Sequence, residues 1–369
     1  MFTQENMEEL LAFDTGETDA DVISIYLNAD PSETPIETIK LQLRAMLKEV
    51  APGHEDDIGR IEQHFDLVHD WGKPGVAIFS CAPEDFFRAY EVAVPFRNRI
   101  RIGNKPYVKP LLHFTKYYAN YGVILVDRVG ARFFEFHLGE LQDSNGTVGE
   151  DVRKLKHGMG SSATGMRGGS GGARAEDEQA QRNMREAADE ASRFFSGKDV
   201  RRLFLGGTSE NVAAFREMLP KQLQSCIAGA FAIDMDAGKE EVKQRSLAML
   251  HQLNAQREQQ LVERMASESA RGGMAVTGLA PTLRMISDGR VDTLLLSDGY
   301  RTPGFRHTGS GYLTASTDSD LFGEEEFEPV SDVIEAAVNR TVAQGGHVEV
   351  ISDNPKLEKA GQIGAILRY

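Results

Sequence analysis

Between Val152 and Ala175 the chain carries Arg153, Lys154, Lys156, His157, Arg167 and Arg174 and no Asp or Glu, although acids number 56 among its 369 residues. Seven glycines fall between Gly158 and Gly172, interleaved with Ser161, Ser162, Thr164 and Ser170. Glycine admits positive φ and lets another backbone come close. Basic, polar and glycine-rich together, such a segment cannot pack a core, but it can follow a polyanion into a narrow space. Its plain alternative is a solvated linker. Against that stand the flanks, a strand pair before and a strong helix after, since a long excursion inside one domain is more often functional.

Other motif matches fail on context. Gly168-Gly169-Ser170-Gly171-Gly172 satisfies G-x-S-x-G, yet no apolar strand leads into it as a nucleophile elbow requires. Gly158-Met159-Gly160-Ser161-Ser162-Ala163 approaches a dinucleotide fingerprint, but Arg153-Lys154-Leu155-Lys156-His157 is no buried strand. Gly206-Gly207 follows a strand and opens a helix, which reads as a turn with an N-cap before it reads as a phosphate site. The histidines show neither H-x-x-x-H nor H-E-x-x-H spacing, so the expectation is no metal and no cofactor. Arg201-Arg202 reads as strand-edge solvation. Residue chemistry alone yields no catalytic constellation.

Composition narrows the class. A formal net charge of −15 repels nucleic acid on average and argues against a simple basic-groove binder. Two cysteines, Cys81 and Cys226, exclude a disulfide scaffold or a Cys-rich zinc site. The acidic start lacks a basic, then apolar, leader, and no apolar run approaches the roughly 20 residues of a membrane span. The expectation is a reduced, cytoplasmic protein without membrane contact.

The elements that must position the loop follow from periodicity. Asp21 to Leu27 reads as a strand ending in an Asn28-Ala29-Asp30-Pro31 turn. Thr38 to Val50 and the Ile58, Ile61, Phe65, Val68 series read as helices, and Gly75 to Ser80 and Ala89 to Val94 as strands. Pro106 to Tyr121 closes this region as a helix or linker. Tyr121 to Asp127 and Ala131 to Leu138 then form a strand pair, with a helix over Glu176 to Phe195 and a strand over Leu203 to Leu205. A long amphipathic helix runs from Lys239 to about Ser269. After it come helix Thr277 to Ser287, strand Val291 to Leu296, helix Val330 to Gln344, and strands His347 to Ile351 and Ile363 to Leu367. Gly299 to Pro329, with the acidic run Glu324-Glu325-Glu326, reads as a solvated irregular insertion. The fold class is α/β with substantial parallel pairing, in three α/β domains: 1–118, 119–240 and 241–369.

The last 250 or so residues resemble the archaeo-eukaryotic peptide-chain release factor and Pelota family, in its bacterial branch. Tyr121-Gly122-Val123-Ile124-Leu125-Val126-Asp127 resembles the opening strand of the family's middle domain, and Lys154-Leu155-Lys156-His157 with the glycine-rich loop stands where the family carries its Gly-Gly-Gln loop. Asn183-Met184-Arg185-Glu186-Ala187-Ala188-Asp189 is similar to the helix that follows, and Leu203-Phe204-Leu205-Gly206-Gly207 to the next strand and turn. Gly289 to Leu296, His347 to Asp353 and Gly364-Ala365-Ile366-Leu367-Arg368-Tyr369 keep the order of the third domain. Residues 1–120 show no decoding motif of the eukaryotic factors.

The resemblance implies a ribosome-binding, tRNA-shaped protein acting at the ribosomal A site in rescue, hibernation or unconventional termination. The middle-domain loop would reach the peptidyl transferase centre, and the third domain would fold like kink-turn-binding ribosomal proteins. Partners implied are the ribosome and its RNA, transfer RNA, and an elongation-factor-Tu-type GTPase. Arg153, Lys154, Lys156, His157, Arg167 and Arg174 would meet RNA. In active release factors the Gln positions water at the ester without a protein nucleophile. Here Gly168-Gly169 is followed by Ser170, and Gln179 and Gln181 come too late to stand in register. Peptidyl-tRNA hydrolysis with Gly168, Gly169 and Ser170 as the working tip is the alternative, through a Ser170 N–H at the oxyanion. A non-ribosomal RNA-binding or interaction module is the third reading.

Overall fold

The computed structural model describes the chain except residues 1, 17, 19, 51, 149–170, 318–325 and 353, and except the side chains of 148 and 171–175. The described residues form two compact units, Met1–Leu250 and His251–Tyr369. Among them no helix is long and apolar enough to cross a membrane.

Helix α1 (Gln4–Ala12) opens the first unit, followed by β1 (Val22–Asn28), α2 (Ile36–Glu49), α3 (Glu55–Leu67), β2 (Gly75–Cys81), β3 (Phe86–Val92), β4 (Arg99–Gly103) and α4 (Lys109–Tyr117). The strands make one antiparallel sheet in the order β3-β2-β1-β4. Ile39, Leu43 and Leu47 fall one helical turn apart on α2, and Ile61 and Phe65 do so on α3, so each helix presents one apolar stripe. Those stripes close over Ile23, Ile25, Leu27, Val76 and Ile78 of the sheet. On the opposite face Tyr26 is buried against Phe79 and Phe96, and its hydroxyl donates to the Tyr107 carbonyl.

A second sheet follows in the same unit. Its elements are β5 (Tyr121–Val126), β6 (Gly130–His137), β7 (Glu140–Val148), α5 (Gly171–Phe195), β8 (Arg202–Gly206), α6 (Ser209–Met218), α7 (Lys221–Cys226) and β9 (Ile227–Phe231). The order is β7-β6-β5-β8-β9, with β8 parallel to both of its neighbours. β5 is buried along its whole length, as its unbroken apolar run requires. Met184, Ala187, Ala188, Ala191, Phe194 and Phe195 of α5 cover Ile124, Phe133, Leu203 and Leu205. A Cβ on Gly122 would lie 2.7 Å from the Phe195 ring, so glycine sets how closely α5 approaches β5. Leu138 and Gly139 both take positive φ (51° and 78°), the two-residue turn whose twist suits a hairpin, and they join β6 to β7.

Helix α8 (Lys239–Ala270) contains the division between the units. The second unit continues with β10 (Ala275–Thr277), α9 (Leu279–Ser287), β11 (Val291–Ser297), β12 (Gly304–His307), β13 (Leu313–Thr314), β14 (Phe327–Val330), α10 (Val333–Ala343), β15 (His347–Ile351), α11 (Pro355–Lys359) and β16 (Ile363–Leu367). One sheet runs β10-β16-β11-β15. Leu283, Ile286, Val333, Ile334 and Ala337 of α9 and α10 cover one face. Val262 and Met265 of α8 and Leu357 of α11 cover the other.

Three expectations are corrected. The region expected to be an irregular insertion holds a three-stranded sheet, β13-β12-β14, and Leu313 is buried in the core beneath it. Short strands rich in Gly, Pro and charge, here Gly304 to His307 and Phe327 to Val330, escape a periodicity test. Parallel pairing is confined to β5–β8, β8–β9 and β11–β15 among the described strands; β2–β3, β5–β6, β6–β7 and β12–β13 are joined by turns too short for a crossover, and the other pairs are antiparallel across longer connections. The helix expected from Thr277 begins at Leu279, since Ala275 to Thr277 pair with β16 first.

Candidate functional site

Of the residues the sequence singled out, Arg153, Lys154, Lys156, His157, Arg167, Gly168, Gly169 and Ser170 lie outside the described residues. Arg174 falls within α5, with its side chain outside them. The structure describes the mount of the loop. β7 ends at Val148, paired in register with Gly130. Gly130 closes the β5–β6 turn, where Asp127 Oδ1 accepts from the backbone N–H groups of Val129 and Gly130, both at 2.8 Å. The early part of α5 returns to that same turn. Arg128 pairs with Asp177 at 2.5 Å, and buried Asn183 donates to the Arg128 carbonyl at 3.1 Å. Gln179 donates to Asn183 Oδ1 at 3.1 Å, so this glutamine is engaged in holding the helix.

The far end of α5 is fixed as firmly. Lys198 sits 3.6 Å from the centre of the Phe194 ring and pairs at 2.8 Å with both Glu135 of β6 and Asp143 of β7. Burial pulls the Lys198 ammonium down, but the hydrogen bonds to Asp143 and Glu135 outweigh it and hold its pKa above the ordinary value. The same contact, first through its hydrogen bond, keeps the Asp143 carboxyl below the usual carboxylate range. Helix and outer strands thus form one rigid base for the segment between them.

Gly206-Gly207 behaves as the turn that was expected. Thr208 Oγ1 accepts from the Asn211 N–H at 3.3 Å as an N-cap, and Gly207 (φ +145°) leaves no room for a Cβ beside the Val126 carbonyl, 2.4 Å away. Arg202 is not merely solvated at a strand edge. Its guanidinium donates to the Tyr117 carbonyl and lies 5.8 Å from the Tyr117 ring, tying β8 to α4.

A second basic surface was missed. β4 is an edge strand of the first sheet, and Arg99 and Arg101 on it, with Lys109, surround the Tyr107 ring at 6.0, 5.8 and 5.6 Å. The backbone of Tyr107 is anchored to β1 from both sides: its N–H donates to Ser24 Oγ at 2.9 Å and its carbonyl accepts from Tyr26. A fixed aromatic ring among cations is the combination that stacks bases and follows phosphates. The compositional signal was present, since Val92 to Val126 contain no Asp or Glu and carry Arg97, Arg99, Arg101, Lys105, Lys109 and Lys116. Lys105 is engaged with Asp14 at 2.8 Å.

Comparison with known proteins gives these features a context. Residues 106–251 match the model of Bacterial archaeo-eukaryotic release factor family 10. An uncharacterized protein of Mycobacterium tuberculosis is 23% identical over 305 residues, covering 81% of this chain and 79% of that one. Peptide chain release factor subunit 1 of Archaeoglobus fulgidus is 30% identical over 188 residues, 45% of this chain and 46% of the archaeal factor. Among solved structures, Archaeoglobus fulgidus Pelota is similar at a TM-score of 0.37 and 11% identity, over 80% of this chain and 79% of that one. The match over residues 106–251 takes in the whole mount of the loop, and over that stretch the chain is similar to the bacterial branch of the archaeo-eukaryotic release factors.

Proposed function

We propose that this protein is a ribosome-binding translation factor that enters the A site in rescue, hibernation or unconventional termination. The single observation that carries the reading is the placement of the acid-free segment from Val152 to Ala175. It falls at one point of the release-factor-like stretch, after β7 and running into the start of α5. Its cations, Arg153, Lys154, Lys156, His157, Arg167 and Arg174, meet ribosomal or transfer RNA. The Arg99, Arg101, Tyr107 and Lys109 surface supplies a second RNA contact. We take the domains as 1–118, 119–240 and 241–369, and the third as the docking platform for an elongation-factor-Tu-type GTPase. Setting is cytoplasmic.

Ser170 at the place of the family's Gln favours action without hydrolysis. Cosedimentation with 70S ribosomes tests the proposal. Binding in low salt to vacant or stalled particles is expected, at least ten-fold weaker when Arg153, Lys154 and Lys156 become Gln, with a shallower salt dependence. Absence of binding to both kinds of particle overturns it. Release of labelled peptide above background from a ribosome–peptidyl-tRNA complex, lost on Gly169→Leu, would instead establish the hydrolytic reading.

A further inference from the structure

Away from the loop, the first unit gathers three groups that no function above uses. His64 lies in the last turn of α3, His69 lies just beyond that helix, and Glu91 projects from β3. Five residues separate the histidines, which is why no helical ligand motif joins them. The helix end brings them together, because the His64 carbonyl accepts from the N–H groups of both Val68 and His69, each at 2.9 Å. The His69 side chain is fully buried, and its Nδ1 is 2.6 Å from Glu91 Oε1. One nitrogen from each ring and one carboxylate oxygen lie within 4.8 Å of one another.

Among the described residues, Nε2 of His64 and Nε2 of His69 are buried and have no hydrogen-bond partner. Their surroundings are aromatic. Trp71 and Phe65 stand 4.6 and 5.2 Å from the His69 ring, and Phe87 stands 5.7 Å from His64. A buried ring nitrogen without a partner destabilises the fold, and here two imidazoles share one small space. His64 also lines an open cavity of about 250 Å³ with Arg60, Gln63, Leu67, Val68 and Phe87, which gives an ion a route in.

We propose that His64, His69 and Glu91 bind one zinc-type divalent cation, leaving a coordination position toward the cavity. Two imidazoles and one carboxylate suit zinc and its transition-metal neighbours, while magnesium and calcium need more oxygen ligands. Ligands held at about 2.0–2.1 Å in a tetrahedron sit about 3.3 Å apart, so side-chain rotation must close the widest separation by no more than about 1.5 Å while the 2.6 Å His69–Glu91 contact opens slightly. Glu91, whose Oε1 lies 2.6 Å from His69 Nδ1, supplies the third ligand oxygen.

The full chain, stripped with a chelator and desalted, is titrated with zinc chloride by calorimetry, and retained zinc is counted by mass spectrometry. One tightly held equivalent is expected, with magnesium failing to compete. Zinc should raise the melting temperature of the parent protein. The His64→Asn and Glu91→Gln proteins should each bind at least ten-fold more weakly, with circular dichroism and metal-free melting confirming that they fold. Cobalt(II) should give the visible absorption of a four-coordinate site in the parent alone. No retained zinc, or zinc retained undiminished by both variants, overturns the proposal. Water bridging the two imidazoles would then be what fills the space.

Discussion

Tyr26 and Tyr121 each lie at the centre of a sheet, and burial raises the pKa of both phenols far above the ordinary value. Coulombic repulsion from Tyr107 adds to the effect at Tyr26, and at Tyr121 a hydrogen bond to Ser246 opposes it slightly. Above about pH 10 an unfolded chain releases these protons while the folded chain retains them. The stability they contribute is therefore complete below about pH 10 and is lost as pH climbs toward the folded-state values, at up to about 1.4 kcal/mol per pH unit for each group. Urea denaturation at about pH 9 and about pH 11 should show that loss. Phenolate absorbance from these two rings should rise only with unfolding, and Tyr121→Phe should make the alkaline slope shallower. Equal stability at both pH values would contradict the assignment.

Glycines that set the distance between layers act at the scale of elements. A Cβ on Gly364 of β16 would lie 2.3 Å from Met265 Sδ on α8 and 2.8 Å from the Val276 carbonyl on β10, so helix and neighbouring strand both rely on its absence. Gly364→Ala should destabilise the protein by about 1–3 kcal/mol in urea unfolding. Gly103→Ala on β4, where nothing lies within 4 Å of an added Cβ, should change stability little. That contrast also explains what the sequence could reveal. Tyr121 to Val126 and Val291 to Ser297 are buried almost throughout, so their apolar runs announced strands that the structure contains. β4 reads Arg-Ile-Arg-Ile-Gly and β7 reads Glu-Leu-Gln-Asp-Ser-Asn-Gly-Thr-Val, both at sheet edges where one side meets solvent, and neither was anticipated. The basic segment from Val152 to Ala175 stands out by composition alone, and up to Ser170 it lies outside the described residues. The His64–His69–Glu91 group was not legible in the sequence, because a helix end and a neighbouring sheet strand assemble it from separations of 5 and 22 residues.

At the scale of the whole molecule, a net charge of −15 conceals two stretches, Val92 to Val126 and Val152 to Ala175, from which acids are absent. Binding to arbitrary RNA must overcome repulsion from the rest of the chain, whereas a site shaped to receive only these stretches is spared most of it. The net figure therefore bears on solubility and its distribution on recognition.

Val148 and Asp177 are both secured to the Asp127–Gly130 turn, so among the described residues the sheet and α5 hold each other and make a socket at the base of the segment 149–170. The working segment is then an interchangeable cartridge. Replacing those residues by about ten of Gly and Ser should leave the melting transition in place, or raise stability by about 0.7 kcal/mol from the shorter closure, while abolishing ribosome binding. A collapse of the fold on that exchange would show that the segment supports the socket. If the socket stands, the sequence of the segment can change without altering how the rest of the protein folds.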